Sequence, residues 1–276
     1  MNRPQITVIT ICYNAQENIK STIDSVAAQE FSDYEYLIID GLSTDDTVNI
    51  AKSFKHRFKE KEINFTIYSE KDKGIFDAMN KGIDKAMGEW IIFMNAGDSF
   101  YSDEILSQTS TYLSDLTEDI VYGSTVVSDG IHYQLKKGSS PSDLPKSVPF
   151  YHQSVFVKRK LLIAYKFDIS YKIAGDYELF VRLWKDKRKF KRIPIIVSLF
   201  DLSGVSSKNL YKSDKEVFEI KKKYAIESKS YKYIIFIEFL KGIRRAIIKK
   251  ALPQIYYSEF RGWYFDKKCG DQILNL

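Results

Sequence analysis

The chain has 276 residues, of which 44% are hydrophobic and 28% charged, with 13 glycines and 6 prolines. This balance excludes a disordered, collagenous or low-complexity protein and leaves room for one large domain with an appendage. The formal net charge is +6, but residues 1–205 carry 26 basic and 28 acidic side chains, whereas residues 206–276 carry 16 and 8. A basic tail behind a neutral body indicates an anionic surface or partner rather than nucleic acid.

Strand and helix patterns alternate through the first hundred residues. Four apolar runs are typical of buried strands: residues 6–11, 34–39, 63–68 and 90–94. Three segments between them have helical character: residues 14–28, 45–54 and 75–87. Thr44 is the predicted N-cap of the second helix. The order predicts an α/β fold, with a mainly parallel, doubly wound sheet and helices on both faces.

The remainder of the chain is less regular. Residues 104–113 and 177–184 are predicted helices, and residues 193–200 a late strand. Two further strands, 120–127 and 131–135, are joined across a Ser-Asp-Gly hairpin signal. Residues 231–252 have a basic amphipathic pattern, which predicts a helix either at a membrane interface or packed on the body.

The two cysteines, Cys12 and Cys269, have neither zinc-site nor disulfide-framework spacing. Cys12 lies in an apolar run and is expected to be a small buried residue. The N-terminus shows no signal peptide, and no uncharged apolar run reaches the roughly 18 residues that a spanning helix needs. A reducing, cytoplasmic location is therefore expected.

Ligands of doubly wound sheets bind outside the carboxyl ends of the strands. Carboxylates follow three of the four predicted strands, at Asp40, at 70–72 and at Asp98. The turn after the first strand contains no glycine, which excludes a dinucleotide-binding fingerprint and a P-loop. A nucleotide held by side chains remains, with Tyr13 stacking on a base.

Simpler interpretations of the same residues stay open. Tyr13 is also typical of an aromatic that packs after a strand, and Asp40 of a carboxylate in turn chemistry. Asp98 suits a hard divalent cation that bridges phosphates, or the N-cap of the following helix.

Six short segments stand in a characteristic order. They are ITVITICYN at 6–14, IIDGLSTDDT at 38–47, SEKDKGIFDAMNKG at 69–82, GEWIIFMNAGD at 88–98, HQ at 152–153 and AGDYEL at 174–179. Together they resemble family 2 glycosyltransferases, over about two-thirds of the chain. The resemblance implies a GT-A fold and inverting sugar transfer from a nucleotide sugar.

The resemblance also implies roles for individual residues. Asp176 matches the catalytic base, for which a bare helix-cap role is the alternative, and Asp98 matches the last acid of the metal-binding motif, for Mn²⁺ or Mg²⁺. Asn95, His152 and Gln153 fall in the donor and acceptor region. The nucleotide-binding positions are Thr10, Tyr13, Glu17, Asp40 and Asp72. The chain departs from the common pattern at Asn95 and Gly97, where acids are frequent, and at Gly41, which replaces a second acid.

The expected protein is a metal-dependent, hexosyltransferase-type enzyme that uses a nucleotide sugar, with UDP favoured. Its expected acceptor is a lipid-linked saccharide in cell-surface polysaccharide biosynthesis, at the inner face of the plasma membrane. Residues 231–252 would meet the anionic membrane surface, and no nucleic-acid partner is expected. The alternative is a catalytically degenerate nucleotide-binding scaffold that docks at the membrane.

The predicted domains are a GT-A catalytic domain at 1–205 and a basic helical extension at 206–276. The catalytic domain divides into a nucleotide-binding half at 1–98 and an acceptor-binding half at 99–205.

Overall fold

A computed structural model of the protein describes residues 3–114, 116–128, 132–201 and 210–226. Within these ranges, nine strands form one mixed sheet with eight α-helices packed around it. The strands are β1 Ile6–Cys12, β2 Tyr34–Asp40, β3 Asn64–Ser69, β4 Trp90–Phe93, β5 Ser99–Phe100, β6 Ile120–Ser128, β7 Tyr133–Lys136, β8 Val155–Lys158 and β9 Phe190–Asp201. The helices are α1 Ile19–Ala28, α2 Thr47–Ser53, α3 Lys55–Glu60, α4 Ile75–Lys85, α5 Ile105–Leu113, α6 Arg159–Tyr165, α7 Gly175–Lys185 and α8 Leu210–Lys223. Single 3-10 turns occur at Pro141–Asp143 and His152–Ser154.

The sheet order is β3-β2-β1-β4-β8-β6-β9-β5, with β7 paired to β6. The first four strands pair in parallel, which confirms the predicted α/β sheet. The second half is mixed: β8 is antiparallel to β4 and β6, whereas β6 and β9 run parallel. The predicted helix at 231–252 lies outside the described residues.

Both faces of β1, β2 and β4 are buried, which explains why these strands are continuous apolar runs. Alternate residues of β1 face opposite layers: Ile9 and Ile11 pack with α4, α6 and α7, whereas Ile6 and Val8 pack with α1, α3 and α5. The loops at the two ends of the strands are therefore attached to a rigid layer.

Two predicted helix starts are wrong for a common reason. The helix predicted from Asn14 begins at Ile19, because Asn14 adopts a left-handed conformation with φ of 46°. Its side-chain Oδ1 then accepts a hydrogen bond from the Thr44 amide at 2.9 Å. Thr44 is consequently part of a loop-to-loop contact, and α2 begins at Thr47 with Asp46 in the N-cap position.

The described part of the predicted extension, 210–226, contributes α8 to the core, where Ile220 is fully buried. The predicted boundary between 205 and 206 falls among residues that the structure does not describe, so the division into domains stays a prediction. Across the described ranges, no helix combines the length and hydropathy needed to cross a bilayer.

Candidate functional site

The site lies where the strand order reverses, between β1 and β4. In such sheets the two neighbouring loops diverge at the carboxyl ends and leave a crevice. The loop after β1 carries Tyr13, and the turn after β4 carries Asn95 and Asp98. The predicted site residues are distributed over the two sides of this crevice.

Tyr13, Gly41 and Asp72 meet on one side. Tyr13 is 63% exposed although it is aromatic. A carbon attached to Gly41 would lie 2.5 Å from Asp72 Oδ2 and 3.3 Å from Tyr13 Cδ2. The bare backbone of Gly41 thus lets the ring and the carboxylate approach each other. An exposed ring beside a carboxylate suits a planar base with N–H donors.

Two predicted nucleotide-binding residues are buried below this surface. Asp40 is fully buried, and its Oδ2 accepts hydrogen bonds from the Ser43 amide at 3.0 Å and from Ser69 Oγ at 2.6 Å. The Ser43 contact is the turn chemistry that the sequence left open. Thr10 is also fully buried, with its Oγ1 donating to the Met94 carbonyl at 2.7 Å. The nucleotide-binding role of both residues stays a prediction.

Two residues near Thr10 and Asp40 differ in exposure: Glu17 is exposed and Cys12 is buried. Glu17 is exposed on the turn before α1 and accepts a 3.3 Å hydrogen bond from Gln16. Cys12 is buried as predicted, and burial together with the Asp40 charge raises the pKa of its thiol. A thiol in that state is not a nucleophile.

The turn at 95–98 and the segment after it are held by the polar face of α1. Thr22 Oγ1 donates to the Asp98 carbonyl at 2.7 Å and accepts from the Gly97 amide at 2.9 Å. Farther along, Ser25 Oγ accepts from the Phe100 amide, and Gln29, just after the helix, donates to the Ser102 carbonyl. Gly97 has a φ of 102°, which only glycine adopts at low cost.

The turn after β4 contacts the 3-10 turn that carries His152 and Gln153. Gln153 Nε2 donates to Asp98 Oδ2 at 3.0 Å. Asn95 Nδ2 and His152 Nε2 lie 3.1 Å apart. With the amide donating, Nε2 is the acceptor, so that the ring proton resides on Nδ1. Residues more than fifty positions apart in the chain thereby form one cluster.

His152 extends this cluster to the predicted base. His152 Nδ1 lies 3.3 Å from Asp176 Oδ2, and both side chains are partly exposed, at 19% and 25%. Asp176 Oδ1 accepts the Tyr177 amide at 2.8 Å in the first turn of α7. Asp176 therefore keeps an accessible carboxylate at the crevice, and the N-cap position of the helix belongs to Ala174.

The two sides of the crevice touch through the segment before Asp176. Lys172 Nζ donates to the Lys73 carbonyl at 3.2 Å, which ties this segment to the loop that carries Asp72. Gly175 lies against the ring of Phe76 in α4, where an added carbon would be 2.7 Å from the ring. Phe76 and Gly175 were not among the predicted site residues, and their place inside two of the six segments is the signal that could have indicated them.

The chemistry of the cluster fits a hard divalent cation. Asn95 Oδ1 and Gln153 Oε1 are buried and have no hydrogen-bond partner among the described residues. Together with the Asp98 carboxylate, which is 5% exposed, they supply oxygen ligands of the kind that Mg²⁺ and Mn²⁺ prefer. In the described ranges, no group of three or more His, Cys, Asp or Glu side chains is arranged to hold a metal ion. Asp98 is not a helix cap, since α5 begins at Ile105.

Comparison with known proteins gives the class of protein. The model of Glycosyl transferase family 2 matches residues 7–175, which is more than half of the chain and includes the loops described above. The chain belongs to this family and is a glycosyltransferase. A PGL/p-HBAD biosynthesis glycosyltransferase of Mycobacterium bovis is 27% identical over 211 residues, covering 75% of this chain and 81% of the relative.

Solved structures confirm the GT-A type of fold. S. aureus TarS 1–349 in complex with UDP-GlcNAc superposes with a TM-score of 0.65 at 17% identity, over 78% of this chain and 64% of that chain. The chain spans 39% of a longer TarS chain. The mannosyltransferase PcManGT from Pyrobaculum calidifontis, in complex with GDP-Man and Mn²⁺, gives a TM-score of 0.63 at 18% identity, over 83% of this chain and 66% of that chain.

Proposed function

We propose that this glycosyltransferase moves a sugar, with inversion, from a UDP-sugar to a hydroxyl group of a lipid-linked saccharide in cell-surface polysaccharide biosynthesis. One observation carries the proposal. Asp98, Gln153, Asn95, His152 and Asp176 form one hydrogen-bonded cluster on one side of the crevice, and the exposed Tyr13 lies with Asp72 on the other side. A cation site, a candidate base and a nucleoside-sized surface are the three parts that such a transfer requires.

Inverting transfer is a single displacement at the anomeric carbon. The acceptor oxygen forms its bond to that carbon while the bond to the diphosphate oxygen breaks, and the nucleoside diphosphate leaves with the electron pair. Asp176 takes the proton of the acceptor hydroxyl as the new bond forms. His152 Nδ1, 3.3 Å from Asp176 Oδ2, restricts the carboxylate to one orientation. The product then carries the opposite anomeric configuration.

Asp98, with the amide oxygens of Asn95 and Gln153, would hold the divalent cation. When bound, it stabilises the negative charge that grows on the leaving diphosphate. PcManGT, a structural neighbour, was solved with Mn²⁺. We therefore propose that the activity depends on Mn²⁺ or Mg²⁺.

Two facts support a lipid-linked acceptor at a membrane. The mycobacterial relative is named for PGL/p-HBAD biosynthesis. In this chain, the excess of basic residues lies at 206–276. Each Lys or Arg near an anionic leaflet contributes about 1 kcal/mol of attraction. We propose that residues 231–252 hold the enzyme peripherally at the inner face of the plasma membrane.

The proposed donor is tested by thermal unfolding with UDP, GDP, dTDP, CMP and NAD, each with and without Mn²⁺. UDP with Mn²⁺ is expected to raise Tm most. At a hundredfold excess over Kd the added stability is about 2.7 kcal/mol, which corresponds to roughly 5–10 °C for a chain of this size. Failure of every nucleoside diphosphate to shift Tm would contradict the proposal.

Release of UDP on addition of acceptor distinguishes an enzyme from a nucleotide-binding scaffold, which binds without turnover.

Tyr13 offers a matched pair of variants for the nucleoside site. Stacking of a base on an aromatic ring is worth about 1–3 kcal/mol when measured by substitution with alanine. Tyr13→Ala is therefore expected to weaken UDP binding roughly 5- to 150-fold, whereas Tyr13→Phe retains the ring and binds within threefold of wild type. Isothermal titration with UDP measures both. Because the side chain is largely exposed, Tm without ligand should not change. Equal affinities in the two variants would remove Tyr13 from the donor site.

A further inference from the structure

A buried carboxylate of α8 binds the backbone immediately before Asp176. Glu216 is 8% exposed. Its Oε1 accepts from the Lys172 amide at 2.9 Å, and its Oε2 from the Ile173 and Ala174 amides, each at 2.8 Å. A charged group at this depth is costly unless it is hydrogen-bonded, and three charge-assisted bonds meet that need. The last of these amides belongs to the N-cap residue of α7.

A second contact fixes the C-terminal end of α8 on α7. Glu178, in the first turn of α7, is 1% exposed and accepts a hydrogen bond from the Tyr224 hydroxyl. Lys223 Nζ lies 3.3 Å from the same carboxylate. Burial and the Glu178 hydrogen bond raise the pKa of Tyr224 to about 12. Burial alone would lower the pKa of Lys223, but the Glu178 charge, together with hydrogen bonds to Asp168 and Glu178, raises that pKa above its ordinary value.

The contacts of α8 share one face of the helix. Glu216, Ile220, Lys223 and Tyr224 are spaced by three or four residues, and Ile220 is fully buried between the two polar contacts. On the side of segment 172–175 that faces away from α8, Gly175 packs against the Phe76 ring of α4. The segment 172–175 is therefore confined between α8 and α4, with Asp176 directly after it.

We infer that Glu216 is a positioning residue for Asp176, and this inference rests on the proposed role of Asp176 as base. Glu216 touches no reacting atom. It acts by fixing the backbone that sets where the Asp176 carboxylate enters the crevice. A displacement of about 1 Å at a reacting group can cost on the order of a hundredfold in rate. The loss of one acceptor of Glu216 should therefore affect turnover more than donor binding.

The test compares Glu216→Gln with Glu219→Gln in the full-length chain. Glutamine has the shape of glutamate but turns an N–H₂ group toward backbone amides that need an acceptor. Glu219 lies on the same helix, has a 53% exposed side chain and approaches Lys215 only to 3.9 Å. Glu216→Gln is expected to lower kcat 10- to 100-fold with donor KM within twofold of wild type, whereas Glu219→Gln leaves both unchanged.

Amide hydrogen exchange supplies a readout that needs no turnover. Glu216→Gln should speed exchange at 172–174 at least tenfold, while amides of β1 and β4 stay protected. Unchanged exchange, unchanged kcat or a parallel rise in donor KM would overturn the inference. Absence of transfer by the wild-type chain would count against the proposed function, whereas the inference is judged on variant-to-wild-type differences.

A second variant covers the case in which Glu216→Gln does not fold. Tyr224→Phe removes the hydroxyl that donates to Glu178 and keeps the ring. This substitution weakens the attachment of α8 to α7 at Glu178. It is expected to lower kcat two- to fivefold at constant donor KM. An unchanged kcat in Tyr224→Phe, with no folded Glu216 variant, would also overturn the inference.

Discussion

Asp176→Asn is expected to lower sugar transfer roughly 10²- to 10⁴-fold while the protein still binds UDP. A positioned general base contributes about 10²–10⁴ to the rate, and asparagine cannot accept the acceptor proton at neutral pH. The fold should tolerate the change, because an asparagine Oδ1 can still accept the Tyr177 amide at this position. Steady-state release of UDP with acceptor measures the loss, and the UDP-induced rise in Tm measures retained donor binding.

Asp186→Asn is the matched control, since Asp186 is the exposed residue at the other end of α7. It removes the same charge and should transfer at no less than half the wild-type rate. Retention of a tenth or more of the activity by Asp176→Asn would exclude Asp176 as the base. Asp176→Asn protein without any UDP response would instead mean that the substitution damages the donor side.

Asp98→Asn is expected to abolish the metal-dependent part of UDP binding and to lower transfer roughly 10²- to 10³-fold. The substitution removes the only carboxylate of the proposed cation site and leaves amide oxygens, which are poor ligands on their own. Stabilisation of a leaving diphosphate by a cation is worth several kcal/mol, and this sets the size of the loss. Titration of Mn²⁺ by electron paramagnetic resonance, in the presence of UDP, measures the binding directly.

The control for Asp98 is Asp103→Asn, five residues farther along on an exposed position before α5. Its Mn²⁺ affinity and activity should match the wild type. An Asp98→Asn protein that binds Mn²⁺ and UDP as tightly as wild type would show that the cation, if required, is held elsewhere.

The parallel half of the fold was predictable because β1, β2 and β4 are buried on both faces and therefore form continuous apolar runs. Val155–Lys158 is also buried, and it escaped prediction because it is short. This strand has four residues and is followed directly by α6, with no turn residue between them. It pairs antiparallel with β4, the last strand of the parallel half. Such a strand is defined by its partner rather than by its own sequence.

The site divides in the same way. The order of six segments indicated Asp98, His152, Gln153 and Asp176 as functional positions, and the structure brings them together. The pairings themselves, such as Gln153 with Asp98 across 55 positions, carry no signal in one sequence. Glu216 was missed because a glutamate in a lysine-rich helix is typical of a solvated face. The apolar residues at 217, 218 and 220 are the signal in this stretch that one side of the helix is buried.

The hydrogen bonds of α1 have a consequence for motion. Thr22 and Ser25 of α1 and Gln29 just after it bind the segment from Gly97 to Leu106 at successive points. A shift of that segment by one residue along α1 would break all of these hydrogen bonds at once. The segment therefore cannot move along the helix in small steps. The turn that carries Asp98 therefore behaves as part of the scaffold, and any opening of the crevice to admit a sugar must come from its other wall.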